Sequence, residues 1–327
     1  MAQEYVLLRL TNMRGVNLSI FDFDYDLSWY AFFLTSDGAV LGRFGGRDAD
    51  TPGKYLTLSG LRHSLEESLG RFRTNKLDKP AQRKPIQAED YPGAAKLADN
   101  ACIHCHHIHE FQRDALQRAK RWSLDNVWIY PQPENLGLTL DAEQGNRIVS
   151  VKPGSAVAKV GMKANDVLRT VQNLPISSVA DLQNALQHGP KKGALSITWR
   201  SGAANRTEVV ELAENWRNTD ISWRWSLKSM SPNPSIIGDD LNSEERKKFG
   251  LDPRQLAYRQ MNFLTPTARH AGLQANDVIV GLNDRPLAMT ARQFEAHIRL
   301  YCQVGQEITL NVLRGKERVK LKLKLPE

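Results

Sequence analysis

The sequence has little of what marks a disulfide scaffold, a membrane protein or an exported precursor. It contains three cysteines among 327 residues, too few for a disulfide framework in a chain of this length. No run approaches the roughly 18 consecutive apolar residues that a membrane-spanning helix needs. Residues Met1 to Tyr5 show no basic stretch followed by an apolar core, so no signal peptide is recognisable. These absences predict a cytoplasmic protein, or one whose export signal lies outside this sequence.

The positive charge is not gathered into a nucleic-acid-binding module. The formal net charge is +8, but the basic residues between Arg71 and Lys84 stand beside proline and glutamine, which is typical of a solvated linker. At the C-terminus, apolar residues alternate with lysines from Val319 to Leu325. A period of two places these sets on opposite faces of a strand, where exposed lysines oppose edge-to-edge aggregation. We therefore expect no nucleic-acid partner.

Motifs of hydrolytic enzymes are also missing. No Gly-x-Ser-x-Gly motif occurs, and no nucleophile–base pair is recognisable. The 133 residues that precede the repeated region described below are too few for a two-barrel protease. The sequence therefore predicts a protein that is not an enzyme.

The first 70 residues alternate between strand-like and helical patterns. They predict strands at Tyr5–Leu10, Trp29–Leu34 and Ala39–Arg43, a Ser36-Asp37-Gly38 hairpin turn, and a helix over Leu61–Leu69 that ends at Gly70. This order resembles the C-terminal half of a thioredoxin-like fold. Since no cysteine precedes Cys102, we expect no thiol–disulfide chemistry in this partial domain.

The C-terminal half contains an internal repeat. The sequence Ala164-Asn165-Asp166-Val167 returns as Ala275-Asn276-Asp277-Val278, 111 residues later. In both copies a glycine-terminated helix precedes this tetrapeptide, and a strand, a turn, a proline–hydrophobe pair and an amphipathic helix follow it. The pattern resembles that of PDZ domains.

The PDZ resemblance implies a groove that takes C-terminal or extended peptides of other proteins by adding them to an exposed strand. In the first module, Leu136, Gly137 and Leu138 stand where the carboxylate-binding loop is expected. Val179 and Gln183, one helical turn apart, are the expected groove-facing pair of the opposite wall. In the second module, Leu256–Arg259 occupies the place of the loop.

A short motif ahead of the repeat could hold a cofactor. Cys102-Ile103-His104-Cys105-His106 has the Cys-x-x-Cys-His signature of c-type haem attachment. Cys102 and Cys105 would form the thioether bonds and His106 would bind the iron, while the second axial ligand stays open. Alternatively, Cys102, Cys105, His106 and His109 could bind zinc, or the cysteines could form a disulfide or stay free.

Together these patterns predict an α+β multidomain protein. The expected parts are a partial thioredoxin-like α/β domain (1–70), a basic linker (71–90), a short helical segment with the Cys-x-x-Cys-His motif (91–133), a β-rich PDZ-like module (134–213), a linker (214–249) and a second PDZ-like module (250–327). This order resembles that of a group of bacterial thioredoxin-like/PDZ proteins.

Two functions are consistent with this organisation. The first is a peptide-binding PDZ protein with covalent haem c, used for redox-linked binding or electron transfer outside the cytoplasm with a redox partner. The second is a PDZ adaptor or chaperone-like scaffold in which the Cys/His cluster binds structural zinc or is inert. Covalent haem would require a periplasmic or other extracytoplasmic location; without haem we expect a cytoplasmic one.

Overall fold

The computed structural model describes residues 2–48, 51–74 and 84–327. The chain forms two compact units, Met1–Thr219 and Asp220–Glu327, which we call unit 1 and unit 2. Within the described ranges, no helix has the length and apolar character needed to cross a membrane.

Unit 1 begins with a β-hairpin covered by a helix. Strands β1 (Tyr30–Leu34) and β2 (Val40–Gly45) pair antiparallel, and helix α1 (Leu58–Arg73) packs on β2. Thr57 caps α1 by accepting a hydrogen bond from the Gly60 amide, because the first amides of a helix have no partner within it. The hairpin and the helix predicted from the sequence are thus confirmed, although α1 continues past Gly70 to Arg73.

The thioredoxin-like assignment of residues 1–70 is not supported. Its expected first strand, Tyr5–Leu10, is not a strand: Val6, Leu7 and Leu8 are almost fully exposed. Among the described residues, the sheet of this region contains only the two strands β1 and β2. Alternating apolar residues predicted a strand here, but a strand also requires a neighbouring backbone to pair with, and no strand within the described residues pairs with this segment.

The segment with the Cys-x-x-Cys-His motif forms helix α2 (Cys105–Arg118). Ile108 and Phe111 on this helix are buried in a cluster with Met13, Phe23 and Tyr25. The motif is therefore anchored to the N-terminal part of unit 1 by one apolar helix face.

The rest of unit 1 is the first repeat, which we call module 1. Its elements are α3 (Pro133–Leu136), β3 (Leu138–Leu140), β4 (Ile148–Val151), α4 (Ala156–Lys159), β5 (Val167–Val171), β6 (Leu174–Pro175), α5 (Val179–His188), β7 (Gly193–Ser201) and β8 (Ala204–Leu212). Strands β3 and β4 pair with each other, and β6, β5, β7 and β8 form a four-stranded sheet. Trp199, Leu168 and Leu182 are fully buried at the centre of its core.

Unit 2 contains the second repeat, module 2. Its elements are β9 (Gly238–Asp240), α6 (Ser243–Lys248), β10 (Tyr258–Gln260), α7 (Pro266–His270), β11 (Val278–Leu282), β12 (Arg285–Pro286), α8 (Ala291–Tyr301), β13 (Glu307–Arg314) and β14 (Glu317–Lys324). The main sheet has the order β14-β13-β11-β10-β9, and β12 pairs with β11. Because β9 and α6 lie within 214–249, module 2 includes residues that the sequence analysis had assigned to a linker.

Candidate peptide-binding grooves

The predicted carboxylate-binding loop of module 1 has its glycine amide already bonded. Leu136 and Leu138 are buried in the core, and Gly137 between them adopts φ +84° as the residue that ends α3. Its N–H donates to the Glu134 carbonyl over 2.9 Å. A Cβ at this position would lie 2.8 Å from Ser155 Oγ. Glycine is required here by its left-handed conformation and by close packing, rather than by the approach of an anion.

The predicted groove-facing pair of α5 does not face open space. Val179 and Gln183 are 2% and 5% exposed. The backbone of Gly46, just after β2, lies against both: a Cβ on Gly46 would be 2.6 Å from Gln183 Oε1 and 3.3 Å from Val179 Cγ1. The structure thus places these residues on the expected helix face but covers that face with the N-terminal hairpin, which helical spacing alone could not reveal.

In module 2, the segment expected to form the loop is instead part of the core. Leu256, Ala257 and Tyr258 are fully buried, and β10 pairs with strands on both of its sides. The strand that corresponds to β3 is β9, because each is the first strand of its module and pairs antiparallel with the next. Leu256–Arg259 is therefore not the loop; by the correspondence of β9 with β3, the loop of module 2 is expected in the chain ahead of β9.

The loop of module 2 has polar contacts that fix its course. Ser235 adopts φ +57°, and its carbonyl accepts from the Thr265 hydroxyl over 2.8 Å. The amide of Ile237 donates to the side chain of the fully buried Gln260, whose amide group donates to the Phe263 carbonyl over 2.8 Å. Because the left-handed residue here is Ser235 and not a glycine, no motif like Leu136-Gly137-Leu138 marks this loop, and it was not predicted from the sequence.

Strand β9 ends the described sheet of unit 2 and has one free edge. Leu241 N donates to Ala257 O, and Met261 N donates to Ile237 O, so odd-numbered residues of this strand bond to β10. The backbone groups of the even-numbered Gly238 and Asp240 consequently point outward. The carboxylate of Asp240 also accepts from the Ala291 amide, the first residue of α8, over 3.0 Å, which ties β9 to that helix.

The Cys-x-x-Cys-His motif lies at the start of α2. Cys102 is exposed and Cys105 half-buried, and burial raises the pKa of the Cys105 thiol. His106 Nδ1 is hydrogen-bonded to Glu110 Oε1 over 2.9 Å, and its ring lies 4.4 Å from that of His107. The roles of Cys102, Cys105 and His106 in holding haem c stay a prediction.

The four residues predicted to bind zinc are not brought together in the described part of the chain. His109 is buried, accepts a 3.1 Å hydrogen bond from the Tyr25 amide through Nε2, and contacts Gln112 through Nδ1. The described group whose possible ligand atoms lie within 4.8 Å of one another is Asp24, Asp26 and His109. His109 faces inward because it lies with Ile108 and Phe111 on the buried side of α2.

Comparison with known proteins supports the PDZ part of this description. Residues 256–325 match the PDZ domain family, and a PDZ domain is present there. The chain is 28% identical over 185 residues to the periplasmic pH-dependent serine endoprotease DegQ of Escherichia coli, which covers 56% of this chain and 37% of DegQ. It is 33% identical over 184 residues to the periplasmic serine endoprotease DegP of E. coli, covering 56% of this chain and 35% of DegP.

Among solved structures, the chain is similar to an HtrA-type protease, AlgWS227A, with a decapeptide. The sequence identity is 14%, the TM-score is 0.28, and the similarity covers 55% of this chain and 54% of that one. The chain spans about a third of the length of the curated relatives.

These relatives correct two predictions. The predicted haem-linked redox or electron-transfer function is wrong, and so is the alternative function of an adaptor or scaffold, because the relatives are serine endoproteases; the binding of haem c or zinc itself stays a prediction. The same names overturn the prediction that the protein is not an enzyme. Two pairs of a histidine and a carboxylate are also tied to neighbouring groups: His109, beside Asp24, accepts from the Tyr25 amide, and Asp22, which pairs with His188, accepts from the Tyr130 hydroxyl. The sequence misled here because the Cys-x-x-Cys-His signature is a local pattern of five residues, whereas the similarity to the proteases extends over 184–185 residues.

Proposed function

We propose that this protein recognises extended polypeptide segments through its PDZ region and does so in the service of proteolysis, as part of a serine-endoprotease system outside the cytoplasm. Two observations support the proposal: the PDZ domain at 256–325, and similarity over 181–185 residues to endoproteases named as periplasmic. The region of similarity covers more than half of this chain.

The observation that carries the proposal is the free edge of β9. Peptides bind to PDZ domains by β-augmentation, in which the ligand becomes an additional strand. Here the edge presents the outward backbone groups of Gly238 and Asp240. Helix α8 is held beside this edge by the hydrogen bond from the Ala291 amide to the Asp240 carboxylate. Ile237, next to this edge, is 37% exposed and gives an apolar surface to a ligand side chain.

Charge favours one class of ligand. Asp239 and Asp240 are both exposed on β9, and the side chain of Asp239 has no role in the cap of α8. A peptide with lysine or arginine near its end would therefore gain from cross-strand pairing. We expect such peptides to bind more tightly than acidic ones, with a difference that shrinks as salt is added.

The test is an N-methyl scan. A fluorescein-labelled decapeptide selected for binding to the full chain is remade with N-methyl groups on its odd or its even residues. β-Augmentation predicts that one register loses at least about tenfold in affinity and the other changes little, because alternate amides of a strand face the edge. Equal losses in both registers, measured by fluorescence anisotropy, would contradict binding at a strand edge.

The connection with proteolysis is tested separately with β-casein, which lacks stable folded structure. The full chain should bind β-casein, and an Asp239→Lys variant should bind it with an affinity different from that of the unchanged chain. Hydrolysis by the purified chain is then followed with and without a serine-directed fluorophosphonate. Absence of casein binding would contradict the recognition role.

A further inference from the structure

The groove of module 1 is bordered by β3 and α5, and the same chain lies across it. The residues concerned are 43–48 and 51–60, which we call the cover segment. All belong to unit 1, as do both walls of the groove. The contacts are distributed along the length of the groove. They comprise hydrogen bonds to backbone atoms, burial of apolar surface, and the close approach of glycine residues of the cover segment to the groove walls.

At the N-terminus of α5, the cover segment is held through its backbone. The Arg43 amide donates to Asp181 Oδ1 over 3.0 Å, and the Ser178 hydroxyl donates to the Arg43 carbonyl over 2.6 Å. The backbone N–H and C=O of one residue of β2 are thus both hydrogen-bonded by side chains at the N-terminus of the helix that forms the groove wall. These two bonds fix the backbone of the cover segment against the helix side of the groove.

Further along, the segment fills the apolar part of the groove. Tyr55 is 2% exposed and packs in the module 1 core with Leu136, Leu138 and Val179. Its hydroxyl donates to Glu134 Oε1 over 3.3 Å, on the short helix that ends at Gly137.

At the far end of the groove, residues at the start of α1 contact Ala142, which follows Asp141 and the end of β3. The Thr57 hydroxyl donates to the Ala142 carbonyl over 2.9 Å. A Cβ on Gly60 would lie only 2.6 Å from the same carbonyl oxygen. The groove is therefore bridged from α5 to the end of the β3 strand, with Gly46 and Gly60 at the two closest approaches.

We propose that the cover segment is a resident ligand of the module 1 groove, which has to leave before that groove can take another peptide. The inference rests on the proposed function for its consequence, because only a peptide-binding module has a groove to block. Under this proposal, the free binding edge among the described strands is that of module 2. Module 1 is then a site that opens when the cover segment moves.

The test measures access to the groove without using any peptide. Cys102, Cys105 and Cys302 are replaced by serine, and Gln183→Cys is introduced as a reporter behind the cover. Reaction of this thiol with a maleimide should be slow in the full chain. Gly46→Val should raise the rate at least about tenfold, because its Cβ would lie 3.3 Å from Val179 Cγ1 on α5, with the rest of the valine side chain directed at the same wall, and because φ is +96° there.

Two matched variants separate the cover from general strain. Gly53→Val lies in the cover segment with open space around its Cβ, and Gly15→Val has the same kind of backbone strain, with φ +72°, in open space. Neither should change the labelling rate by more than about twofold. Thr57→Val serves as a second release variant should Gly46→Val lose its far-ultraviolet circular dichroism; it should give a smaller increase.

Fast labelling in the unchanged cover, or equal rates for Gly46→Val and its controls, would overturn the proposal. An amidated synthetic peptide of residues 43–48 should slow labelling of the Gly46→Val variant, since it carries Gly46, the residue that lies against position 183, and so restores the occupant in trans. If no variant binds β-casein, the proposed function fails, and the labelling rates still decide whether the groove is covered.

Discussion

The main-chain amide of Arg43 donates a 3.0 Å hydrogen bond to the carboxylate of Asp181, a residue 138 positions further along the chain. The same carboxylate accepts from the amide and the hydroxyl of Ser177, over 3.1 and 2.7 Å. One buried side chain therefore organises the N-terminus of α5 and also holds β2 against it. Burial raises the pKa of Asp181, although Arg43 and Arg71 oppose this effect.

Replacement of Asp181 should destabilise unit 1 strongly. In Asp181→Ala the donors on Arg43 and Ser177 lose their acceptor inside the protein, and each unsatisfied buried donor costs about 1–3 kcal/mol. We expect a loss of about 3 kcal/mol or more in the free energy of unfolding, and about half of that for Asp181→Asn, which keeps one acceptor oxygen. Hydrogen exchange of α5 peptides in the full chain measures both; equal protection in Asp181→Ala and the unchanged chain would contradict this role.

Gly137 should prove to be a structural residue. Gly137→Val must adopt φ +84° and place its Cβ 2.8 Å from Ser155 Oγ and 3.2 Å from Lys152 Cβ. We expect about 1–2 kcal/mol from the left-handed backbone and about 1–3 kcal/mol more from overpacking. Gly154→Val, with φ +75° in open space, is the control and should cost the first amount only. Urea unfolding of both variants checks the difference, and equal costs would remove the packing argument.

The sequence predicted those features that depend on local pattern. The alternation from Val319 to Leu323 lies in strand β14, with its apolar residues less exposed than its lysines, and Leu325 just beyond the strand is buried. The repeated Ala-Asn-Asp-Val segments lead into β5 and β11 in the same way, with each valine as the first residue of the strand. Asn165 and Asn276 even share a left-handed conformation, with φ +69° and +68°, as the turn before each strand requires.

What the sequence did not predict depends on contacts between distant residues. The helical spacing of Val179 and Gln183 predicted their helix face correctly, but only the folded chain shows Gly46 pressed against that face. The loop of module 2 was missed for a related reason. Its left-handed residue is Ser235 instead of glycine, and its support is the side chain of Gln260, a strand away.

Gln260 should therefore be essential to the recognition edge of module 2. It is fully buried and bonds Ile237, Met261 and Phe263 through one amide side chain. Gln260→Leu leaves these groups without that partner and should destabilise unit 2 by about 2–4 kcal/mol, with weaker peptide binding at β9. The exposed Gln274→Leu is the control. Stability by urea unfolding and affinity by anisotropy should change together; unchanged affinity would mean that the loop does not shape the site.

Asp22 gives unit 1 a dependence on pH. Its carboxylate is hydrogen-bonded to His188 Nε2 over 2.7 Å and accepts from the Tyr130 hydroxyl. Burial acts to raise the pKa of Asp22, but the hydrogen bonds from His188 and Tyr130, with the charge of Arg43, outweigh it and hold the pKa below its usual value of 3.8. The folded state therefore prefers the ionised carboxylate more than the unfolded state does.

A carboxyl whose pKa is depressed in the folded state stabilises the fold above its unfolded pKa, and this stabilisation is lost as the pH falls through the folded value. Asp22→Asn should thus reduce the free energy of unfolding by about 1–2 kcal/mol at pH 6. The difference from the unchanged chain should persist to about pH 5 and shrink below pH 4 as the native carboxyl takes up a proton. Urea unfolding between pH 2 and pH 6, with the exposed Asp99→Asn as control, measures it. A difference that stays constant down to pH 2 would show that the ionised form of Asp22 is not what stabilises the fold.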